Sequence, residues 1–490
     1  MSKLINRIRN LRNLEYILLS VILLLGFIVR LYKIGNPIAD WHSWRQADTA
    51  SVSRTYVEEG IDFLYPRYQD ISSIQTGAYN PQGYRFVEFP IYNVIHALLA
   101  KNFTLFSLEV WGRLLSITSS LVSTFLLFLI GKRFMGKWGG VLAAFFFAFI
   151  PYNIYFTRVI LPEPMATTFA LSALWFFVKF FDTDKDLYFY LSGLSFCLAL
   201  LVKPFTLFYA PAIIYLIYLK HGSLEKISKD PKLLIKYLIF SNIILVPFFA
   251  WRAWMGRYPQ GIPFFKWAFN GDQIRFRPAF WRWIFGERLA RLLLGTWGLV
   301  PFTYGILKAK KETYFNLYFL LGMFLYVLTF ATANVRHDYY QTFIVPAVAL
   351  TLAAGSLALW EAKNLNRTLS RGILVFSVVL MLGMGAYQVK ENYKINHPEI
   401  IEAGNAVDEL TPKDALVIAP YNGDTAFIYQ TKRWGWPAID DSIDKIIEKG
   451  ADYYVTVNLN DPDTKMIVGR FEVIRQTDKY LIADLHKPKK

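Results

Sequence analysis

The chain carries an unusual group of ionisable side chains directly after its first long apolar run. The stretch "NPIADWHSWRQADTASVSRTY", which begins at Asn36, contains Asp40, His42, Arg45 and Asp48. A loop that only joins two membrane spans needs none of these groups. A carboxylate in such a loop can act as a general base if it reaches the proton to be removed, whereas a lone aspartate is more often a helix N-cap or a solvated interfacial residue. Because it is not alone, Asp40 is the first candidate for a catalytic residue.

The residues after Asp40 predict a polar helix. The sequence "SWRQADTASVSRTYVEEG" indicates a helix that starts near Ser43 and ends at Gly60. Arg45 and Asp48 have the i,i+3 spacing of an ion pair on that helix. Asp40 precedes the helix, at a joint where a base can face a cavity. We expect three side chains to position this base or to bind substrate: His42, Arg45 and Asp48.

A second carboxylate, Glu88, lies in "YRFVEFPIYNVIHALLAKNF", immediately before the Phe89-Pro90 step that begins a predicted interfacial helix. A carboxylate in the first turn of a helix is favoured by the helix dipole. The functional alternative is a second catalytic carboxylate that faces Asp40, directly or through a divalent metal ion. His337 is the candidate partner of Glu88 in binding that metal, although a single histidine is a weak metal signal.

Three segments farther along the chain place charges beside predicted spans. "TRVILPEPM", "LLVKPF" and "NVRHDYYQ" combine arginine, lysine and acidic residues with proline and tyrosine. Proline at a helix start, a snorkelling lysine and an aromatic belt are the structural explanations. Charges at the membrane edge are functional candidates by default, and a fixed lysine there can meet a lipid phosphate. The candidate substrate-binding residues in these segments are Arg158, Glu163, Lys203, Arg336, Tyr339 and Tyr340.

The composition predicts a polytopic membrane protein. Hydrophobic residues make up 54% of the 490 residues and charged residues 18%, whereas soluble domains carry roughly 25% charged residues. Apolar runs near the ~20 residues that a spanning helix needs recur along the chain. They predict about eleven spans, at 14–32, 109–130, 138–155, 162–180, 187–203, 204–219, 234–251, 291–307, 314–331, 340–360 and 371–388.

Positive charge assigns the sides of the membrane, because lysine and arginine concentrate in cytoplasmic loops. With this list of spans, five basic segments fall on one face, beginning with the N-terminus, so the net charge of +16 gives no reason to expect nucleic acid as a partner. The first apolar run is long and lacks a small-residue cleavage site, which predicts a retained span rather than a signal peptide. All the candidate residues above then lie on the extracytoplasmic face of a bacterial or archaeal plasma membrane.

The predicted outer segment 251–291 is rich in arginine and tryptophan, on the side that should be poor in charge. Such a segment can anchor to anionic headgroups in the interface, or its arginines can bind phosphate bidentately.

The tail differs from the rest of the chain. "DALVIAP", "ADYYVTVN" and "FEVIRQTDKYLIADL" predict strands, and "DDSIDKIIEKG" predicts an amphipathic helix. We therefore expect a membrane domain over 1–388 with a first outer loop at 33–108, followed by a small extracytoplasmic α/β domain over 389–490.

These motifs resemble a known family. "ADWHSWRQADTASVSRTYVEEG", followed by "YRFVEFPIYN", resembles the first outer loop of the GT-C glycosyltransferases, in the bacterial branch that groups protein O-mannosyltransferases with the lipid A aminoarabinose transferase. The "LPEP" turn, the Lys203 joint and the "RHDYY" segment are similar as well. The resemblance covers the whole membrane region and implies the GT-C fold there; an extracytoplasmic α/β tail also occurs in relatives.

The resemblance implies transfer of a hexose or pentose from a polyprenyl-phosphate donor to a lipid, glycan or protein on the outer face. The key catalytic aspartate of the family corresponds to Asp40. Glu88 corresponds to an acidic residue that can bind a metal in the aminoarabinose branch. Two positions depart from the family pattern, since the usual Asp-Glu is Asp40-Trp41 and the Glu-Lys-Pro of that branch is Glu88-Phe89-Pro90.

The chemistry of such a transfer suits the residues found. Polyprenyl phosphate is a good leaving group, so the reaction needs a base for the acceptor hydroxyl and cations for the departing phosphate. The main alternative is a transporter or flippase for polyprenyl-linked glycolipids, in which repeated halves and charges near the midplane are expected. The candidate charged residues of this chain cluster on one side of the membrane, which favours an enzyme over a transporter. A non-catalytic protein of envelope glycan assembly is a third interpretation.

Overall fold

The computed structural model describes residues 13–489, without the side chains of Leu224 and Glu312. The basic residues Lys3, Arg7, Arg9 and Arg12, which contribute to the predicted orientation, lie outside the described residues. The chain forms two compact units. We call the first the helical unit; it comprises the residues up to Tyr32, Leu114–Ala250 and Phe265–Lys390. The second, the sheet unit, comprises Lys33–Arg113, Trp251–Phe264 and the chain from Glu391 onward.

The helical unit is built from apolar helices, several of which match predicted spans. Its longer helices are Leu14–Arg30, Leu108–Phe149, Glu163–Thr183, Asp186–Val202, Ala210–His221, Pro231–Met255, Leu299–Leu307, Tyr314–Thr329, Val345–Trp360 and Arg367–Val389. Shorter helices are Pro151–Phe156, Leu224–Lys229, Trp267–Asn270, Pro278–Trp281 and Ala331–Arg336. Four 3₁₀ turns are Pro204–Tyr209, Ile274–Phe276, Lys311–Thr313 and Asp338–Phe343, and Arg282–Leu293 is a π-helix.

Four helices in the described chain are long and apolar enough to cross a membrane. They are Leu108–Phe149, Glu163–Thr183, Pro231–Met255 and Arg367–Tyr393, and three more apolar helices are shorter. Gly136 has φ 73° and interrupts the first of them, between the predicted spans 109–130 and 138–155. The predicted span at 291–307 is not one helix, because Gly295 and Thr296 both have positive φ and separate the π-helix from Leu299–Leu307. The number of eleven spans stays a prediction.

Small residues allow two helices of this unit to meet closely. A Cβ on Gly355 would overlap the carbonyl oxygen of Pro301, and one on Gly305 would overlap that of Thr351. Close backbone approach at small residues is the usual way in which helices pack in a membrane. Leu299–Leu307 and Val345–Trp360 therefore depend on these two glycines for their contact.

The sheet unit contains a five-stranded mixed sheet. The strands are β1 (Leu416–Ile418), β2 (Trp434–Trp436), β3 (Tyr453–Thr456), β4 (Phe471–Gln476) and β5 (Leu481–Pro488), in the order β2-β1-β3-β5-β4. β1 is parallel to β2 and to β3, whereas β5 is antiparallel to β3 and to β4. The helices of the unit are Ser43–Glu59, Ile91–Asn102, Glu399–Leu410, Thr425–Thr431, Ile443–Glu448 and Pro462–Arg470, and two 3₁₀ turns are Pro259–Gly261 and Lys390–Tyr393.

The strands and the helix predicted in the tail are confirmed, and β2 is the one strand that the prediction missed. β2 consists of only Trp434, Gly435 and Trp436, so it shows no alternation over several residues. Both faces of the sheet are buried, since Val417 and its neighbour Ile418 point to opposite faces and belong to two separate apolar clusters.

Residues of the first predicted outer loop are part of this core. Ile71 belongs to the cluster around Trp436, and its N–H donates to the carbonyl of Gly435 at 3.0 Å. Residues 251–264 pack on the same loop through their aromatic side chains. Trp254 Nε1 donates to the carbonyl of Leu64 at 2.9 Å, and the hydroxyls of Tyr65 and Tyr258 lie 3.0 Å apart. The division of the chain at 388/389 stays a prediction, and the compact sheet unit draws on three separate stretches of chain.

Candidate active site

Asp40 lies in a tight turn before the helix Ser43–Glu59, as the sequence predicts. Its carbonyl accepts the N–H of Ser43 at 3.0 Å, and the N–H of Trp41 donates to the carbonyl of Asn392 at 3.1 Å. His42, between this turn and the helix, has φ 55°, a left-handed conformation that few non-glycine residues adopt and that recurs at functional sites. Asp40 is only 4% exposed. The main-chain hydrogen bonds on both sides fix its position.

Gln46 holds the carboxylate of Asp40. Its Nε2 donates to Asp40 Oδ1 at 2.6 Å and to the carbonyl of Trp41 at 3.3 Å. Gln46 is fully buried and was not among the predicted site residues. The sequence offers one signal, because Ser43 followed by Gln46 has the spacing of a capping box. In the structure the N-cap is His42, and Gln46 reaches back to Asp40 instead.

Arg45 and Asp48 have separate partners, so the predicted ion pair between them is wrong. Arg45 Nη2 forms an ion pair with Glu88 Oε1, and Arg85 Nη2 forms one with Asp48 Oδ2. Asp48 Oδ1 also accepts the hydroxyl of Thr425 at 2.7 Å. Each partner comes from outside the helix, and Arg85 was missed because nothing in a single sequence relates it to a residue 37 positions earlier.

A buried network extends from Asp48 through Arg85. The guanidinium of Arg85 lies 4.9 Å from the centre of the Tyr68 ring, and the Tyr68 hydroxyl donates to Asp70 Oδ2 at 3.2 Å. Burial raises the pKa of Asp70 to about 6, and the charge of Asp48 acts in the same direction. The charge-assisted hydrogen bond of Arg85 with Asp48 connects this network to the helix Ser43–Glu59.

A short helix from the tail braces the same helix. Arg54 donates to the carbonyl of Tyr429 at 2.9 Å and lies 3.7 Å over its ring. Gln430 donates to the carbonyl of Ile38, just before Asp40, at 2.9 Å. Asp424 caps this helix, Thr425–Thr431, by accepting the N–H of Ala426. Burial raises the pKa of Asp424 to about 6, the charge of Asp48 adds to the rise, and His42 and His397 oppose it.

In the helical unit, Glu163 and Lys203 form a buried ion pair. Glu163 is the first residue of the helix Glu163–Thr183, and Lys203 follows the end of Asp186–Val202. Lys203 Nζ lies 2.9 Å from Glu163 Oε1, and both side chains are almost completely buried. Breaking such a pair by removal of one partner leaves an uncompensated buried charge, so the two residues depend on each other.

The remaining candidates of this unit have varied surroundings. Arg158 is fully buried and donates to the carbonyl of Tyr32 at 3.0 Å. Arg336 is half exposed and pairs with Asp272 at 2.7 Å. The rings of Tyr339 and Tyr340 stack at 4.4 Å, and the His337 ring lies near both of them and near Trp267.

The described residues can be examined for the several donors that a divalent metal ion needs. Among residues 13–489, no three histidine, cysteine, aspartate or glutamate side chains are grouped so as to bind one. Glu88 has the guanidinium of Arg45 as one partner. A divalent ion needs several oxygen or nitrogen ligands at once, so the roles of Glu88 and His337 as its ligands stay predictions.

Comparisons with known proteins identify the fold. Residues 91–254 match the family model of the dolichyl-phosphate-mannose-protein mannosyltransferases. The crystal structure of ArnT from Cupriavidus metallidurans bound to undecaprenyl phosphate is similar with a TM-score of 0.66 and 13% identity, over 97% of this chain and 98% of that one. Its apo state is similar with a TM-score of 0.63 and 13% identity, over 96% and 97%. The chain has the GT-C glycosyltransferase fold.

A third solved structure extends the comparison. The oligosaccharyltransferase of Archaeoglobus fulgidus, crystallised with zinc and sulfate, is similar with a TM-score of 0.57 and 13% identity, over 89% of this chain and 68% of that one. No curated protein matches the sequence. The GT-C fold that the first-loop motif predicts is therefore confirmed. The helix Ser43–Glu59 and the turn before it carry Arg45, Asp48 and Asp40, and Arg45 pairs with Glu88. In the helical unit, Glu163 pairs with Lys203.

Proposed function

We propose that this GT-C protein is a membrane glycosyltransferase that moves a sugar from a polyprenyl-phosphate donor to an acceptor on the extracytoplasmic face. The family model match and the undecaprenyl phosphate bound by ArnT support this donor class. The observation that carries the proposal is Asp40, a buried carboxylate held by Gln46 at 2.6 Å in a turn with a left-handed residue. A merely solvated loop aspartate needs neither burial nor such support.

In the proposed reaction Asp40 is the general base. The acceptor hydroxyl loses its proton to the Asp40 carboxylate while its oxygen bonds to the anomeric carbon. The bond from that carbon to the phosphate oxygen breaks, and the polyprenyl phosphate leaves with the electron pair. One displacement at one carbon inverts its configuration.

Other residues are proposed to position the base or to neutralise the leaving phosphate. Glu88 orients Arg45 through their ion pair, and Arg85 together with Thr425 fixes Asp48. Preorganised cations lower the energy of a transition state in which a phosphate gains charge. The cations proposed for this role are Arg158, Lys203 and Arg336, and His42, Glu163, Tyr339 and Tyr340 are proposed to contact substrate or support those cations.

We infer eleven spans, a cytoplasmic N-terminus and an extracytoplasmic tail, because the basic segments then share one side. The acceptor is a hydroxyl-bearing lipid, glycan or protein that is reached from outside.

The product's configuration tests the mechanism. Purified protein in lipid is supplied with a panel of radiolabelled polyprenyl-phosphate hexoses and pentoses and with acceptors of the three classes. The product of any transfer is then analysed by NMR for its anomeric configuration. We expect inversion relative to the donor; retention would rule out a single displacement with Asp40 as base. Binding of donors without any release of their sugar would contradict the proposal and favour the flippase alternative.

A further inference from the structure

The helical unit contains an apolar groove that the proposed reaction does not use. The groove has a volume of about 410 Å³ and lies between the helices Asp186–Val202, Ala210–His221 and Pro231–Met255. Leu207, Ile214 and Leu234 line it and are 38–49% exposed. Exposed apolar side chains on a membrane helix face acyl chains, so the groove is accessible to lipid.

The groove has the length of a lipid tail. Its lining extends along Pro231–Met255 from Leu234 to Leu245, which is roughly 16 Å at 1.5 Å per helical residue. Ile227 and Ser228 of the short helix Leu224–Lys229, which precedes Pro231–Met255 in the chain, also line it. A single extended hydrocarbon chain fits this shape better than a compact ligand does.

The segment around Ile227 is basic. Lysines occupy positions 220, 226, 229, 232 and 236, against Glu225 and Asp230 in the same stretch. Lys220 pairs with Asp184, Lys236 with Asp186, and Lys229 with Glu225. Lys226 and Lys232 are exposed, and neither lies within ion-pair distance of a carboxylate that the structure describes. Two exposed cations thus remain for an anion in the segment that contributes Ile227, Ser228 and Leu234 to the groove.

We propose that this groove binds an anionic phospholipid, with one acyl chain in the groove and the phosphate at Lys226 and Lys232. Charge complementarity selects the headgroup, since basic pockets between membrane helices attract anionic lipids and a zwitterionic lipid offers no net charge. The polyprenyl-phosphate donor is the weaker candidate, because the basic segment 220–236 is on the predicted cytoplasmic side and the proposed transfer is on the other. The site is independent of the proposed catalytic residues.

Native mass spectrometry of the full chain in a nonionic detergent tests the proposal. Wild-type protein is titrated with phosphatidylglycerol and with phosphatidylcholine of matched acyl chains. We expect preferential retention of phosphatidylglycerol. The double variant Lys226→Gln/Lys232→Gln should bind it about 25-fold more weakly, because each lysine near an anionic headgroup contributes about a factor of five. The control Lys308→Gln/Lys311→Gln removes two exposed lysines elsewhere on the same predicted face and should bind normally.

The groove itself is tested by Ser241→Trp, which places a large ring in its wall. Asn242→Trp is the matched control, because Asn242 is the exposed next residue and does not line the groove. We expect lower phosphatidylglycerol retention only in Ser241→Trp. Equal retention of the two lipids by wild type, or unchanged retention in the lysine double variant, would overturn the proposal. Displacement of bound phosphatidylglycerol by equimolar undecaprenyl phosphate would also overturn it. Asp40→Asn should bind phosphatidylglycerol normally, so failure of the proposed transfer would be recognised separately.

Discussion

At the scale of single residues, the hydrogen bond from Gln46 to Asp40 makes a specific prediction. Gln46→Ala should lower the rate of sugar transfer about tenfold or more, because a hydrogen bond to a charged group is worth about 1.5–3 kcal/mol. The KM for the donor should change little, since Gln46 is proposed to orient Asp40 and not to contact the donor. Steady-state kinetics measure both quantities. Gln75→Ala is the control in the same unit, and an unchanged kcat in Gln46→Ala would show that Asp40 needs no such support.

The buried pair of Glu163 and Lys203 makes a second prediction at this scale. Lys203→Met should lower the thermal midpoint strongly, because an unpaired buried carboxylate costs about 3–5 kcal/mol. The double variant Glu163→Gln/Lys203→Met removes both charges and should regain most of that stability. Thermal unfolding in detergent measures this difference.

Donor turnover by the same variants then distinguishes a structural role of this ion pair from a role in the reaction. A double variant that is stable yet inactive would assign the Glu163–Lys203 pair a role in the reaction beyond stability. A double variant as unstable as Lys203→Met would mean that the broken ion pair does not account for the loss of thermal stability.

At the scale of elements, the contact between the helices Ser43–Glu59 and Thr425–Thr431 can be tested through Thr425. Thr425→Val keeps the shape of the side chain but removes the hydroxyl, which donates to Asp48 Oδ1 at 2.7 Å and lies 3.2 Å from the carbonyl oxygen of Trp44. Leaving buried acceptors unpaired costs about 1–3 kcal/mol. We expect faster hydrogen–deuterium exchange in Ser43–Glu59, whereas Thr477→Val, in the turn between β4 and β5, should leave that helix unchanged.

The helix cap Asp424 predicts a dependence of stability on pH. Its pKa of about 6 in the folded protein exceeds the ordinary value of about 3.9 in an unfolded chain. The folded state therefore binds more protons between about pH 4 and pH 6, and its stability falls as the pH rises through that window. An amide can still accept the N–H of Ala426, so Asp424→Asn should be more stable than wild type at pH 7 and similar at pH 4.

Thermal midpoints over this pH range measure the effect of Asp424. Asp461 caps another helix. Asp461→Asn therefore reports how the exchange of a capping carboxylate for an amide changes the thermal midpoint by itself. A wild-type curve that rises with pH between 4 and 6, with the Asp424→Asn curve parallel to it, would contradict the assignment. Asp70, whose pKa is also about 6, should contribute a further fall of stability with rising pH. This contribution should remain in Asp424→Asn.

The elements were largely predictable, and the partners of the site residues were not. The helix Ser43–Glu59 follows from local signals, because its polar run ends at Gly60, and the strands of the tail follow from β-branched and aromatic residues between turn signals. The ion pairs of Arg45 with Glu88 and of Asp48 with Arg85 join residues 43 and 37 positions apart. Such pairs are set by the way the stretch Lys33–Arg113 folds back on itself, which periodicity does not encode.

At the scale of the whole molecule, the predicted orientation can be tested by labelling, because Cys197 is the only cysteine. In a Cys197→Ala background, Asp478→Cys in the tail should react with a membrane-impermeant maleimide on intact cells. Lys311→Cys should react only after the membrane is opened, because positive segments stay in the cytoplasm. The reverse pattern would place the tail and the proposed site on the cytoplasmic side.

The measurement that tests the central claim most directly compares wild type with Asp40→Asn in lipid, using the labelled polyprenyl-phosphate sugar that wild type turns over. The amide keeps the size of the side chain and can still accept from Gln46 Nε2, but it cannot take a proton from the acceptor. General-base catalysis contributes about 10²–10⁴-fold, so we expect transfer to fall by that factor while donor binding and thermal stability are retained. Transfer at the wild-type rate by a folded, donor-binding Asp40→Asn protein would contradict the assignment of Asp40 as the base.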